Sequence, residues 1–417
     1  MKRRVAITGM GAVTSYGTGL APLLDSVFNG KSGVSHIDSF DVSEYPVQIG
    51  AQLNEFTPAD FMNPKDARRY DLYISVSVAS AKMAVAHSGL AIDDGNRDRI
   101  GIYFGSGIGG IRTILNQSKS LIERGPGRVS PLFIPNSISN SGSAVIAMEL
   151  NVTGSNFCIV SACSTSNHTI GEGFRAVRDG YLDVCIAGGA ETAINPLGLS
   201  GFCVMKAISP SWNDEPHRAS RPFDAKRDGF VMGEGGGAMV LEAYDDAVAR
   251  GAKVYGEIVG YGSTCDAYHI TAPAPGGAGA AHAMELAIAD AGITQTDVRY
   301  INAHGTSTEL NDKNETEAIK RVFGDDAYRL KVSSSKSMHA HLLGAAGVVE
   351  GIVTLAALNR QVVPPTINYE NPDPDCDLDY TPNVPAPLEF EYAVNNSFGF
   401  GGHNAVLIFR RGEHDLV

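Results

Sequence analysis

An α/β fold is predicted by the alternation, along all 417 residues, of Val- and Ile-rich apolar runs with helix-like stretches. The runs fall at residues 4–8, 100–104, 157–160, 183–187, 238–241, 298–302 and 405–409. Strands apolar on both faces need cover on both sides, so layers must pack on each face of the sheet. Helical periodicity fills residues 73–85 and 281–291, and a further helix is expected from about residue 165 to 179. Gly251 and Gly292 mark helix ends, where a left-handed residue stops the helix.

The length allows roughly two to three domain-sized units, enough for a large buried core. With 43% hydrophobic and 19% charged residues, the chain reads as an ordinary globular protein. No run approaches the ~18 to 20 continuous apolar residues that cross a bilayer, so no membrane association is expected. The N-terminal run after Lys2-Arg-Arg4 is broken by Thr8, Gly9 and Gly11, which predicts a first strand and not a signal peptide. A net charge of −13 argues against nucleic acid as a partner, because phosphate contacts need a basic surface. The six cysteines contain no Cys-x-x-Cys pair, and several lie inside apolar runs. Reduced thiols and a cytoplasmic location are expected.

Cys163 stands where the apolar run from Phe157 gives way to Ser161-Ala-Cys-Ser-Thr-Ser. For a cysteine at random, a buried inert thiol is the default reading. The small polar context after a strand reverses it: a thiol at a helix N-terminus has its thiolate favoured by the helix dipole. His304 in Ala303-His-Gly-Thr-Ser-Thr and His341 after Lys336-Ser-Met-His-Ala also follow strands, and Lys336 can tune both imidazoles. One thiol and two imidazoles at strand ends is an arrangement for covalent acyl transfer. His339 and His341 resemble a metal pair, but no third ligand cluster accompanies them, so no metal is expected.

The run Gly105-Ser-Gly-Ile-Gly-Gly110 matches a dinucleotide fingerprint, yet no acidic residue ends a strand about 20 residues later. Gly233-Glu-Gly-Gly-Gly lacks the Lys-Ser/Thr of a phosphate loop. Both are read as turns or close backbone packing near a site. In Asn396-Ser-Phe-Gly-Phe-Gly-Gly-His-Asn404 the glycines free backbone N–H groups to face an oxyanion. The segments from Phe157 to Ser166 and from Arg299 to Ser307 echo each other, which points to a duplicated α/β unit with the site at its seam.

Taken as an ordered set, these segments resemble the elongating β-ketoacyl-acyl carrier protein synthases of the thiolase superfamily. The pieces are Val5-Ala-Ile-Thr-Gly-Met-Gly, Ala162-Cys-Ser-Thr-Ser, Arg221-Pro-Phe-Asp-Ala-Lys-Arg-Asp-Gly-Phe, Asp266-Ala-Tyr-His, Ala303-His-Gly-Thr-Ser-Thr, residues 336–347 and Asn396-Ser-Phe-Gly-Phe-Gly-Gly. Asp266-Ala-Tyr-His and Leu342-Leu-Gly-Ala-Ala-Gly look closer to the synthase II branch than to synthase I. The resemblance implies a thiolase-like five-layer α-β-α-β-α fold from two duplicated halves, residues 1–251 with the cysteine and 252–417 with both histidines. It also implies a homodimer and no cofactor.

The implied reaction is a ping-pong Claisen condensation. Cys163 takes an acyl group from a carrier thioester, and malonyl-acyl carrier protein loses carbon dioxide and attacks it, as in type II fatty acid synthesis. By the same resemblance His304 and His341 stabilise the enolate, and N–H groups of Cys163 and Phe400 hold the tetrahedral oxyanion. Phe400 gates malonyl entry, and Lys336, Asp312 and Glu350 support the site. Ile108, Phe133, Phe202, His269, Thr306, Thr308 and Phe398 are expected to meet substrate. An acidic carrier protein needs a positive landing zone, expected at Lys65, Arg68, Arg69, Arg124, Arg128 and Lys206.

The chain departs from the family's usual Lys-Ser-Met-Thr-Gly-His at His339 and Ala340, and His403 stands where Thr is commoner. Three other readings compete, of which a non-catalytic chain-length partner subunit of a polyketide synthase is disfavoured by the retained Cys163. A cysteine hydrolase would use Cys163, His304 and Asn395 or Asn404 but leaves His341 and Lys336 without a role. A catalytic ketosynthase subunit of a polyketide or polyene pathway would use the same residues, in a heterodimer.

Overall fold

The computed structural model describes residues 2–416. Five strands come from the first half of the chain: β1 (Val5–Thr14), β2 (Ile100–Gly105), β3 (Asn156–Phe157), β4 (Val184–Glu191) and β5 (Gly235–Ala243). Five come from the second: β6 (Gly256–Cys265), β7 (Val298–Asn302), β8 (Lys331–Ser333), β9 (Tyr392–Gly399) and β10 (His403–Arg411). They follow one path, β8-β7-β9-β10-β6-β1-β5-β4-β2-β3, with the short strand Gly17–Thr18 added on β1. Each set therefore runs first-fifth-fourth-second-third. In each, the first two pairings of that order are antiparallel and the last two parallel. Only Val5, Ala6 and Ile7 of β1 pair with β6, and beyond them the two sets part.

Six helices complete the layers: α1 (Leu72–Ser88), α2 (Ser141–Leu150), α3 (Thr165–Arg178), α4 (Ala278–Ala291), α5 (Glu309–Phe323) and α6 (Ala346–Arg360). On the first sheet, Ile74, Val78 and Ile146 of α1 and α2 pack against Ile102, Ile186 and Val240. On the second, Met284, Ile288 and Ile319 of α4 and α5 pack against Ile301, Val394 and Ile408. Between the sheets, Ile170 and Phe174 of α3 and Val349, Ile352 and Val353 of α6 meet Cys185, Leu241, Leu407 and Phe409. Neighbouring residues such as Cys185 and Ile186 thus serve opposite faces, as the strand period of two requires. The five layers predicted by the resemblance are present.

Close approach of helix to strand is bought with glycine in both halves alike. A Cβ on Gly9 or Gly11 of β1 would lie 2.2 Å from the Ala84 carbonyl or 2.4 Å from that of Ser80 on α1. A Cβ on Gly260 or Gly262 of β6 would lie 2.2 or 1.9 Å from the Ala287 and Ala283 carbonyls of α4. Among the described residues, one segment has the length and apolarity to cross a bilayer, Leu343–Arg360; it is the central helix with its first turn, 94% buried.

The echo between residues 157–166 and 299–307 is out of register with the duplication. Cys163 follows β3, a third strand, whereas His304 follows β7, a second strand. The counterpart of the Cys163 turn is the turn after β8. Ala162 (φ 50°) opens the 3-10 turn Ala162–Ser164, and α3 starts at Thr165; Leu343 (φ 49°) opens the 3-10 turn Leu343–Ala345, and α6 starts at Ala346. Shared letters misled the sequence comparison; the backbone conformation identifies the repeat.

Candidate active site

Cys163 is presented by that turn. Ala162 adopts a left-handed conformation that strains a residue with a side chain by about 1–3 kcal/mol. The strain is held by local hydrogen bonds: Ser164 N–H donates to the Ser161 carbonyl at 3.0 Å, and the Thr165 hydroxyl accepts from Ser161 N–H at 2.9 Å. Beneath it, His168 of α3 joins Ser161 Oγ at 2.7 Å through Nδ1 and Ser263 Oγ at 3.0 Å through Nε2. Ser164 Oγ donates to the carbonyls of Ser397 and His403, which ties the turn to the β9–β10 hairpin.

His341 Nε2 lies 3.0 Å from Cys163 Sγ. The His304 ring stands edge-on to the His341 ring, centroids 5.5 Å apart, and Phe230 braces His341 from another side at 5.2 Å. One ligand atom from each of Cys163, His304 and His341 falls within 4.8 Å of the others. Lys336, buried, sits behind them: its Nζ lies 3.4 Å from His304 Nδ1 and forms an ion pair with the buried Glu350. A lysine ammonium can only donate, so His304 carries its proton on Nε2. Burial, then the Lys336 charge, holds both imidazoles well below the usual histidine range. They are neutral N–H donors at neutral pH.

The thiol does not behave as the sequence predicts. Burial pushes Cys163 up to about 12, opposed by the Lys336 charge and by the N–H of Phe400. A 3-10 turn also separates it from the first turn of α3. The helix-terminus argument is thus outweighed by desolvation between the layers, and Cys163 rests as a thiol.

A cavity of about 480 Å³ opens onto these groups. Ile108, Phe202, Phe398, Thr306 and Thr308, named for substrate contact, line it together with Phe400 and Lys206, and the Thr306 and Thr308 hydroxyls are 2.9 Å apart. Asp312 and Glu350 lie behind the wall; Asp312 accepts from Phe223 N–H at 2.8 Å and faces Arg227 at 3.6 Å.

Two expected lining residues are elsewhere. Phe133 belongs to the short helix Phe133–Ser137, which packs against α2 and lies outside this chain's cavity. His269 is exposed and turns back on its own loop, where Nδ1 accepts from the N–H groups of Thr271 and Ala272 at 3.1 Å. His339 points away from the cavity. Of the six basic residues proposed for docking, Lys206 borders the cavity, whereas Lys65, Arg68, Arg69, Arg124 and Arg128 are exposed away from its lining.

Sequence reasoning missed two buried acids. Glu315 of α5 accepts from the N–H groups of His304 at 2.8 Å and Gly305 at 2.7 Å, and so fixes the loop that aims His304. Glu191, at the end of β4, accepts from Ser106 Oγ, from the N–H groups of Gly107 and Ile108, and from that of Gly344. It thereby joins the cavity loop at Ile108 to the turn after His341. Burial raises both carboxyls to about 7. A lone acid closing the apolar strand that starts at Val184 is the one signal that could have exposed Glu191. The run from Gly105 to Gly110 is a cavity turn held by that acid, and no phosphate cradle.

Comparison with known proteins agrees with this geometry. The family descriptions "Beta-ketoacyl synthase, N-terminal domain" and "Beta-ketoacyl synthase, C-terminal domain" match residues 2–247 and 255–370. A 3-oxoacyl-[acyl-carrier-protein] synthase 2 of Synechocystis is 46% identical over 410 residues, covering 98% of both chains. Among solved structures, the ishigamide ketosynthase/chain length factor superposes with a TM-score of 0.91 at 34% identity, over 99% of this chain and 100% of that one. A type II polyketide acyl-carrier protein in complex with its ketosynthase bound to the hexaketide gives 0.90 at 31%, over 99% and 100%. The ordered motifs, the five layers, the Cys-His-His cluster and matches over nearly the whole length converge: this chain belongs to the β-ketoacyl synthase family.

Proposed function

We propose that the protein lengthens acyl chains by two carbons through decarboxylative condensation with malonyl-acyl carrier protein, in type II fatty acid synthesis. The observation that carries this reading is the contact of His341 with Cys163 on the wall of a cavity that His304 also faces. In the first half-reaction Cys163 sulfur attacks the acyl thioester, and the thiol proton ends on the departing carrier thiol. The N–H groups of Cys163 and Phe400 face the oxyanion, and the acyl chain extends past Ile108 and Phe202.

In the second, the malonyl carboxylate leaves as carbon dioxide and its bonding pair becomes an enolate. Nε2–H of His304 and of His341 donate to the enolate oxygen, each such donor typically worth ~2.7–4 kcal/mol. The carbanion attacks the acyl carbonyl, the C–S bond to Cys163 breaks, and the released thiolate takes one proton from solvent. Neutral imidazoles suit this task, because they polarise the thioester oxygen without surrendering a full charge to it.

An acyl carrier protein delivers both substrates, docking on the basic residues Lys65, Arg68, Arg69, Arg124, Arg128 and Lys206. Residues 1–251 and 252–417 are the duplicated halves, and the location is cytoplasmic, consistent with six free cysteines. The chain acts as a dimer. Strand β3 is an open sheet edge carrying exposed Phe157, and Ile134, Met148 and Val160 are exposed as well. Light scattering should give twice the 44.0 kDa chain mass.

Acyl-carrier protein alone should acylate Cys163 once and stop, and malonyl-carrier protein should then release a 3-oxoacyl product with one carbon dioxide. Steady release of free fatty acid without malonyl donor would instead establish a hydrolase. The similarity to the ishigamide ketosynthase/chain length factor keeps a heterodimeric polyketide role as the second reading, and copurification with a cysteine-less homologue would establish it.

A further inference from the structure

The path into His341 departs from the family's usual sequence at two adjacent residues, and the structure links them. Ala340 lies at φ 63°, ψ −171°, a region in which glycine alone is comfortable. Its methyl group is buried in the cluster that contains Ile194, Phe230 and Leu343. Both ends of the residue are fixed: Ala340 N–H donates to the Lys336 carbonyl at 3.0 Å, and His341 N–H to the Val231 carbonyl at 2.8 Å. The Ala340 carbonyl belongs to the same peptide as that His341 N–H. Its hydrogen bond comes from His339 Nδ1 at 2.8 Å, and Ser335 Oγ holds His339 Nε2 at 3.0 Å. With Nδ1 donating and Nε2 accepting, the buried ring is neutral and saturated.

We propose that His339 is a positioning residue: it clamps the peptide between Ala340 and His341 in the left-handed conformation that sets His341 against Cys163. This rests on the reading of Cys163 and His341 as the condensing pair. Glycine at 340 would adopt the conformation unaided, and threonine at 339 would then suffice. Alanine at 340 is drawn toward negative φ, which would swing the His341 backbone, and the imidazole bond resists that swing. His339 touches neither the cavity nor the thiol, so it acts through His341 alone.

The test is a double-mutant cycle over His339→Thr and Ala340→Gly in the full-length protein. Condensation kcat, the KM for malonyl-carrier protein, and the pH profile of Cys163 alkylation by iodoacetamide are the readouts. His339→Thr alone should lower kcat at least tenfold with KM changed less than twofold. It should also move the alkylation profile to higher pH, since the thiolate loses the His341 N–H. In the Ala340→Gly background the same change should cost less than threefold. His339→Asn, which can place an amide N–H near the Nδ1 position, should restore kcat to within threefold of the parent.

Equal losses in both backgrounds, or no loss from His339→Thr, would overturn the proposal. Should His339→Thr fail to fold, His339→Asn against His339→Gln decides it, since the longer amide cannot reach the neighbouring carbonyl; equal activity of the two would overturn it. A parent enzyme that does not condense at all would refute the functional reading instead, so the two failures are distinguishable.

Discussion

The turns after β3 and β8 share one backbone and carry different chemistry. In the first half the turn opens with Ala162 at φ 50° and places Cys163 next; in the second it opens with Leu343 at φ 49° and places Gly344 next. The catalytic group of the second half, His341, comes two residues before its turn, and Lys336 seven before it. The loops after the second strands differ in the same way: His304 follows β7, while the glycine run from Gly105 follows β2 and shapes the cavity. A duplicated frame thus supplies four strand-end loops at one seam. The first half specialises in a thiol and an acyl wall, the second in imidazoles and the ion pair that orients them. On the proposed mechanism acyl storage and decarboxylation are divided between halves, which meet in the 3.0 Å contact of His341 with Cys163 across the seam.

The largest effect expected from breaking this division is at Lys336. Lys336→Met leaves Glu350 without its counter-charge in a fully buried place, and removal of one partner of such a pair typically destabilises by ~3–5 kcal/mol. Adding Glu350→Gln should recover the denaturant midpoint but not condensation, because the donor to His304 Nδ1 stays absent. Recovery of both would mean that the pair serves stability alone.

A smaller effect concerns acid stability. His168 is held down to about 4 by burial, while an unfolded histidine titrates near 6.5. The unfolded chain therefore binds the proton first as pH falls, so the stability His168 contributes is present above about 6.5 and lost progressively toward 4. Glu191 and Glu315, raised to about 7, act with the opposite sign: their contribution is full below the unfolded value and lost as pH rises through about 7. His168→Gln should flatten the acid limb of stability against pH by up to one proton, about 1.4 kcal/mol per pH unit. An unchanged slope from urea melts at pH 4.5–6.5 would show that His168 already carries a proton in the fold.

The smallest effect lies on the surface. Charge reversal of Arg68 and Arg69 should raise the KM for acyl-carrier protein several-fold and weaken its salt dependence, while transfer from a small thioester is spared. Equal loss with both donors would place docking elsewhere.

Much of the site was legible because the reaction demands particular residues next to strand ends: Cys163, His304, His341 and Lys336 stood out by type and context, and the ordered motifs named the family. What stayed hidden depends on three dimensions. Glu191 and Glu315 act by collecting backbone N–H groups from distant loops, which leaves no local pattern. The ionisation of Cys163 was misjudged because a helix terminus is visible in sequence and burial between two sheets is not. Phe133 was expected to meet substrate, and the fold leaves it out of the lining of its own chain's cavity, a separation that no local pattern shows. The duplication was assigned through similar letters around Cys163 and His304, although Gly9-Met-Gly11 on β1 and Gly260-Tyr-Gly262 on β6 hold the true register.

The division of labour is tested most directly by the intact mass of a His304→Ala variant given acyl-carrier protein and then malonyl-carrier protein. The account predicts that Cys163 gains the acyl group as fully as in the parent and keeps it, with elongation slowed about 10²–10³-fold. A variant that fails to acylate, or that elongates at the parent's rate, would contradict it.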